Sequence, residues 1–484
     1  MKTSSIKWLL PWLGLAAGVL IFFFLLLVNP FGVPPRAAQV LAIAGLMITW
    51  WVAEALPMPV VALTPLVLFP LMGLHTIREV SAGYADPVIF LFMGGFMLGL
   101  AIEKWDLHKR IALNIVNLTG TSGDRIVLGF ILATGLISMW LSNTATTMMM
   151  FPIAASVIHV VTQNHKGNAR LNNLALTIML GIAYASNFGG IATIIGTPPN
   201  VAFVAYIRDK YDYNIPFASW ALICTPIALL LLFSLYVVMT KILYPSRLAA
   251  DDSTRQLIRA ELKQLGPLSR AEKRVLCIFG GTALLWITRD LVNMNGYFKL
   301  DDNMIAIMGA IALFICPSGH PFKSRKILEW SDTTRMAWGI LLLFGGGIAL
   351  AASLEKAGLI EMLGQWIAGF SGSNILLLVF MITLVSLFIS EVMSNIAQVI
   401  VFSPVIGGIA DALHMNPILL GLPMALGASC ASMMPMGTPP NAIVFASGHI
   451  RLGQMVKTGF VMNLVAVVLI TLFCWWLVPL LLGI

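Results

Sequence analysis

The chain has 484 residues, 59% apolar and only 10% charged, with a mean hydropathy of +0.91. A soluble chain of this size needs roughly a quarter of its residues charged, so a water-soluble globular domain is excluded. The net charge of +8 lies in short connections between apolar runs, not on a basic face interleaved with aromatics. That argues against nucleic acid as a partner and for the positive-inside bias of a membrane protein.

Lys2 and Lys7 precede the first apolar run, 8–28. It is too long for a signal-peptide core and has no small-residue cleavage site, so residues 1–35 read as a retained transmembrane helix with a cytoplasmic N-terminus. Further apolar runs follow at 38–56, 59–74 and 88–103, then two interrupted ones at 127–161 and 172–206. A run of some 35 residues is too long for one span of about 20 and too short for two. The first of these breaks at Ser142-Asn143, the pattern of a hairpin that enters and leaves on one side. The second breaks at Gly196-Thr197-Pro198-Pro199-Asn200, where a proline pair removes backbone donors and a helix cannot continue. Proline does suit the first turn of a new half-helix.

After a span at 216–240, the connection 241–274 carries eight Lys or Arg against four acids and reads as a cytoplasmic linker. Runs at 274–292, 303–316 and 337–354 come next, followed by interrupted runs at 374–410 and 417–447 and a final run at 456–483. Here the breaks recur: Ser394-Asn395, then Gly437-Thr438-Pro439-Pro440-Asn441. Leu91 to Gly95 matches Leu343 to Gly347, and Glu103-Lys104 matches Glu355-Lys356. Ser138 matches Ser390, and the two Ser-Asn pairs match, all 252 residues apart. The Gly-Thr-Pro-Pro-Asn copies lie 241 apart. Four landmarks in one order make an internal repeat, 36–240 against 275–484.

Counting spans from a cytoplasmic N-terminus, the hairpin 124–161 opens to the cytoplasm and the hairpin 374–412 to the outside. Lys323, Arg325, Lys326, Arg335, Arg451 and Lys457 then fall inside. The fold expected is an all-α polytopic membrane protein. It is an inverted-topology repeat of about eleven transmembrane helices, two re-entrant hairpins and two broken helices. In such folds the binding site lies between the repeats near the midplane. Ser and Asn cap the returning hairpin helices, so four helix N-termini face one cavity with free N–H groups and positive dipole ends. That cavity suits an anion without any Lys or Arg, while hard oxygens beside the breaks suit Na⁺. Glu391, the one acid well inside a hairpin, is open to two readings: a functional intramembrane acid or a structural hydrogen-bond partner. The five cysteines are scattered through apolar segments and read as packing residues.

At the tip Ser142-Asn143-Thr144-Ala145-Thr146, at both Gly-Thr-Pro-Pro-Asn segments and over 435–444, the chain resembles the divalent anion/sodium symporter family. The resemblance covers nearly the whole chain, though Ser432 stands where the family signature has Phe. It implies a homodimer in the cell membrane, each protomer with a scaffold and a transport domain that moves like an elevator. Na⁺ would be the coupling ion and a C4-dicarboxylate the small anionic substrate. Carried over by position, one sodium site uses Ser138, Ser142, Asn143 and the Gly196 carbonyl. The other uses Ser390, the Met393 backbone, Asn395 and the Gly437 carbonyl. Substrate would meet Asn143, Thr144 and Asn395, with Thr197, Pro198, Thr438 and Pro439 beside them. The second tip departs from the pattern: it reads Ser394-Asn395-Ile396, where Ser-Asn-Thr is usual. A sodium-independent dicarboxylate exchanger and a sulfate or citrate transporter are alternatives on the same fold. An intramembrane hydrolase would need a base near the tips. None of the seven histidines falls there; His159 and His449 lie too far along their segments.

Overall fold

The computed structural model describes residues 3–120, 122–164, 170–245, 252–294, 299–320, 324–360, 362 and 374–482. Lys2, His165 and Lys323 lie outside the described residues. Among those described, eight helices are long and apolar enough to cross a membrane, with five shorter apolar helices beside them. On the helix Arg270–Asn293, Leu284, Ile287 and Leu291 are each about 60% exposed or more. An apolar face that no described residue covers is a face for lipid.

Caps and prolines in the sequence set the boundaries. Asp86 accepts from the Val88 N–H (2.8 Å) and Pro87 opens the helix Pro87–Lys104. Asn416 does the same for Pro417–Ser429. Ser269 and Glu272 form a reciprocal capping box at the start of Arg270–Asn293. Small residues let helices approach closely. A side chain at Gly94 would meet the Ala306 backbone, and one at its repeat counterpart Gly346 would meet the Ala62 backbone.

The first hairpin comprises Gly123–Ser138 and Asn143–Asn164, and the first broken helix Arg170–Gly190 and Pro198–Tyr211. The second hairpin comprises Ile375–Ile389 and Asn395–Ala412, and the second broken helix Pro417–Ser429 and Pro439–Phe445. Each outgoing hairpin arm packs against the first segment of its own broken helix. Each returning arm packs against the half-helix of the other repeat: Asn143–Asn164 on Pro439–Phe445, Asn395–Ala412 on Pro198–Tyr211. The two repeats therefore interlock around one centre. The returning arms also carry repeat-matched prolines, Pro152 and Pro404.

The helices Phe217–Val237 and Leu452–Leu482 join this central bundle. The helices Pro87–Lys104, Asp302–Ile315 and Arg270–Asn293 pack among themselves; Trp338–Lys356 contacts Pro35–Val52 on one side and, on the other, packs on the bundle helices Asn395–Ala412 and Pro198–Tyr211. Two features were not expected. The connection 241–274 is not an open loop: it contains the helix Asp252–Gln264, docked on Leu107–Thr119. Arg110 secures the turn after that helix, donating to the carbonyls of Leu265 and Gly266 and pairing with Glu272 at 2.6 Å. A short antiparallel pair, Pro317–His320 with Ser324–Lys326, comes directly after Asp302–Ile315.

Candidate functional site

The hairpin tips and helix breaks meet at the centre of the bundle. In the first repeat the buried Ser138 Oγ lies 2.8 Å from Asn143 Oδ1 and 2.7 Å from the Ser186 carbonyl oxygen. The second repeat reproduces this: Ser390 Oγ lies 2.7 Å from Asn395 Oδ1 and 2.6 Å from the Ala428 carbonyl. A hydroxyl has one proton, so it can donate to only one of two acceptors at a time. Each triad therefore gathers three oxygens with one proton among them. Oxygen clusters of this kind coordinate a hard cation.

The helix breaks are held open in matching ways. Asn200 Nδ2 donates to the carbonyls of Gly190 (3.1 Å) and Thr193 (2.8 Å). Asn441 Nδ2 donates to those of Ala431 (3.4 Å) and Met434 (3.1 Å). Both Asn side chains are fully buried, and both Oδ1 atoms lack a partner. Thr197 and Thr438, both buried and extended, stand at the N-caps of half-helices that start on Pro198 and Pro439. Thr438 Oγ1 accepts from the Asn441 N–H at 3.4 Å, whereas Thr197 makes no side-chain cap bond. The glycines make room. A side chain at Gly190 would sit 2.2 Å from Asn143 Oδ1, and one at Gly196 would sit 3.0 Å from the Met139 carbonyl.

At the tips and breaks a side-chain link crosses between the repeats. Asn143 Nδ2 donates to Asn187 Oδ1 (3.4 Å), and Asn187 Nδ2 donates to Thr438 Oγ1 (3.1 Å). In the alignment that matches the Ser186 and Ala428 carbonyls, Ser429 stands for Asn187, and it turns back to the Ala425 carbonyl instead, so the link exists on one side only.

Both tips were expected to be side-chain capped, and only one is. Ser142 Oγ accepts from the Ala145 N–H at 3.3 Å; Ser394 makes no side-chain cap bond and offers only its carbonyl, to the Gln398 N–H. Thr144, Met393, Asn395 and Ile396 are half-buried at the tips. Gln398 turns fully inward and donates to the Ser386 carbonyl and hydroxyl.

Glu391 resolves into the structural reading. Its Oε1 accepts from the N–H groups of Ser432 (2.8 Å) and Met433 (2.9 Å) and from Asn463 Nδ2 (2.6 Å). Its Oε2 accepts from the Met434 N–H (2.9 Å). Four donors hold one buried carboxylate, and with it the loop that leads to Gly437. A side chain at Gly437 would lie 3.1 Å from Glu391 Oε2. The first repeat has Met139 at the matching position, and there Thr193 Oγ1 donates to the Met139 carbonyl instead.

Sequence reasoning missed the carbonyls of Ser186 and Ala428, because a backbone oxygen leaves no mark in a sequence. It also missed Asn200 and Asn441, which had a visible signal: both stand at the same place in the repeated Gly-Thr-Pro-Pro-Asn segment. No Lys or Arg occurs in 138–147, 186–200, 390–398 or 428–441. Among the described residues no group of three or more His, Cys, Asp or Glu could hold a metal ion.

A family model described as the sodium:sulfate symporter transmembrane region matches residues 9–482. A Staphylococcus saprophyticus protein named sodium-dependent dicarboxylate transporter SdcS is 38% identical over 477 residues, 97% of this chain and 92% of that relative. The Staphylococcus aureus (strain USA300) protein of the same name is 38% identical over 478 residues, 98% of this chain and 92% of the relative. Among solved structures, that of the Alcanivorax borkumensis YdaH transporter, described as having an unusual topology, aligns with a TM-score of 0.55. It covers 84% of this chain and 88% of that one at 14% identity, a likeness of fold alone.

Proposed function

The chain belongs to the sodium:sulfate symporter family, and from that premise we propose that it carries a C4-dicarboxylate across the cell membrane together with Na⁺. It is a membrane transporter rather than an enzyme. The observation that carries the cation reading is the matched pair of oxygen triads, Ser138–Asn143–Ser186 carbonyl and Ser390–Asn395–Ala428 carbonyl. Ser142 and the Gly196 carbonyl complete the first cation site, and the Met393 and Gly437 carbonyls the second. The dicarboxylate then meets Asn143 and Thr144 from one tip and Asn395 from the other. Thr197 with Pro198 and Thr438 with Pro439 open the half-helices at its sides. Neutral N–H donors and helix N-termini hold the anion, and the bound cations supply the positive charge that no Lys or Arg provides.

The same reading assigns the central bundle, both hairpins with both broken helices, to a transport domain that slides against the remaining helices as a scaffold. We place the N-terminus and the connection 241–274 in the cytoplasm on the charge bias, and two copies in a homodimer through their scaffolds.

Succinate uptake into proteoliposomes, with an inward Na⁺ gradient and with K⁺ in its place, tests the function. Uptake should require Na⁺. Asn143→Ala should abolish it while the protein still inserts, since Asn143 faces both cation and anion. Equal uptake in K⁺, or wild-type uptake by Asn143→Ala, would sink the assignment.

A further inference from the structure

Lys210, in the last turn of Pro198–Tyr211, places its Nζ 2.6 Å from Glu355 Oε1, in the last turn of Trp338–Lys356. The pair joins the central bundle to the helices around it, at the end of the molecule read as extracellular. A basic residue there has no explanation in the positive-inside rule. Both members recur in the other repeat with the same sign. Glu103 stands 252 residues before Glu355, and Arg451 stands 241 residues after Lys210, in the register that relates the two Gly-Thr-Pro-Pro-Asn segments, though the second half-helix ends at Phe445 and Arg451 lies just before the helix Leu452–Leu482. Among the described residues neither Glu103 nor Arg451 is in an ion pair. Glu103 is half-buried; Arg451 is exposed, its N–H donating to Gln454 Oε1 at 2.9 Å and its carbonyl accepting from the N–H groups of Gln454 and Met455.

An inverted repeat makes that asymmetry informative. The two halves share one fold in opposite orientations, so a conformation open to one side becomes its opposite when the halves exchange arrangements. Contacts made by one half in the first state are made by the other half in the second. We propose that Glu103 and Arg451 pair in the opposite-facing conformation, so that each transport step exchanges Lys210–Glu355 at one face for Arg451–Glu103 at the other. This rests on the sliding transport domain proposed above. Exchanging like for like keeps the two end states close in energy. The neighbouring Arg208–Asp86 pair has no such counterpart, because His449 and Trp338 occupy the matching positions. It therefore favours the present conformation.

The test uses the full chain in membranes, with the exposed Cys277 and half-buried Cys316 changed to serine. One variant carries Lys210→Cys with Glu355→Cys, the other Glu103→Cys with Arg451→Cys. A short bifunctional thiol reagent should join the first pair in resting membranes and the second only while Na⁺ and succinate are turning over. Adding Glu355→Gln to the second variant should raise its resting cross-linking rate about two- to fivefold, the scale of one partly exposed ion pair. A 103–451 pair that stays unlinked while the parent chain takes up succinate overturns the exchange. So does a 103–451 rate that ignores Glu355→Gln. Absence of sodium-driven uptake by the parent chain counts instead against the assigned cargo, and leaves the resting-rate comparison standing.

Discussion

Glu391→Gln removes one charge and one acceptor from a carboxylate that four donors share. A glutamine oxygen in the Oε1 position can still receive Ser432, Met433 and Asn463, but the amide nitrogen then faces the Met434 N–H across about the same 2.9 Å. Two donors then oppose each other in a buried site. Hydrogen bonds to a charged group are worth about 1.5–3 kcal/mol, and stranding a buried donor costs about 1–3 kcal/mol more. Even one such loss falling on the cation-bound state weakens sodium activation by about ten- to a hundredfold, since the loop so released carries Gly437. Sodium titration of succinate uptake, with thermal unfolding measured on the same preparations, reads the effect. Asn463→Leu keeps the carboxylate and its three backbone donors, so it should cost less. A folded Glu391→Gln protein with a sodium half-saturation within twofold of wild type would refute the link between this carboxylate and the cation site.

Ile396→Thr restores at the second tip the hydroxyl that Thr144 offers at the first. Succinate binding at fixed sodium should tighten about tenfold, from a net gain of roughly 1–1.5 kcal/mol, and no change for any dicarboxylate would mean that Ile396 does not face the substrate. Gly190→Ala puts a methyl group 2.2 Å from Asn143 Oδ1, so Asn143 must swing away from the cation triad and sodium half-saturation should rise about tenfold or more in a protein that still folds. Gly189→Ala drives its methyl into the Gly135 backbone, where nothing can swing aside, and should lower the melting temperature instead. Cysteines placed on the helix Asp252–Gln264 should react with an impermeant thiol reagent only from the cytoplasmic face; labelling from outside intact cells would reverse the orientation and the roles of the two hairpins.

The repeat, the hairpins and the broken helices were legible because each is marked by residues with few alternatives: paired prolines, Ser-Asn tips and charged landmarks at fixed spacing. The helix Asp252–Gln264 was hidden by composition, since the same basic residues that mark a cytoplasmic connection also form a surface helix once Arg110 anchors the turn at its C-terminal end. Glu391 was ambiguous for a different reason. Its partners are three backbone N–H groups about forty residues onward and Asn463 beyond them, and backbone donors have no residue type. The unequal capping of the tips was equally invisible: Ser142 and Ser394 sit in like sequences, and only one hydroxyl reaches an N–H.

The lack of any Lys or Arg along the tips and breaks also bears on membrane voltage. On the proposed assignment, two oxygen triads filled by two univalent cations would balance a divalent anion, and the loaded bundle would carry no net cargo charge. Moving one unbalanced charge through the field would change the energy by about 2.3 kcal/mol per 100 mV. A balanced load would escape that term, leaving the sodium concentration ratio alone to set how steeply the anion accumulates.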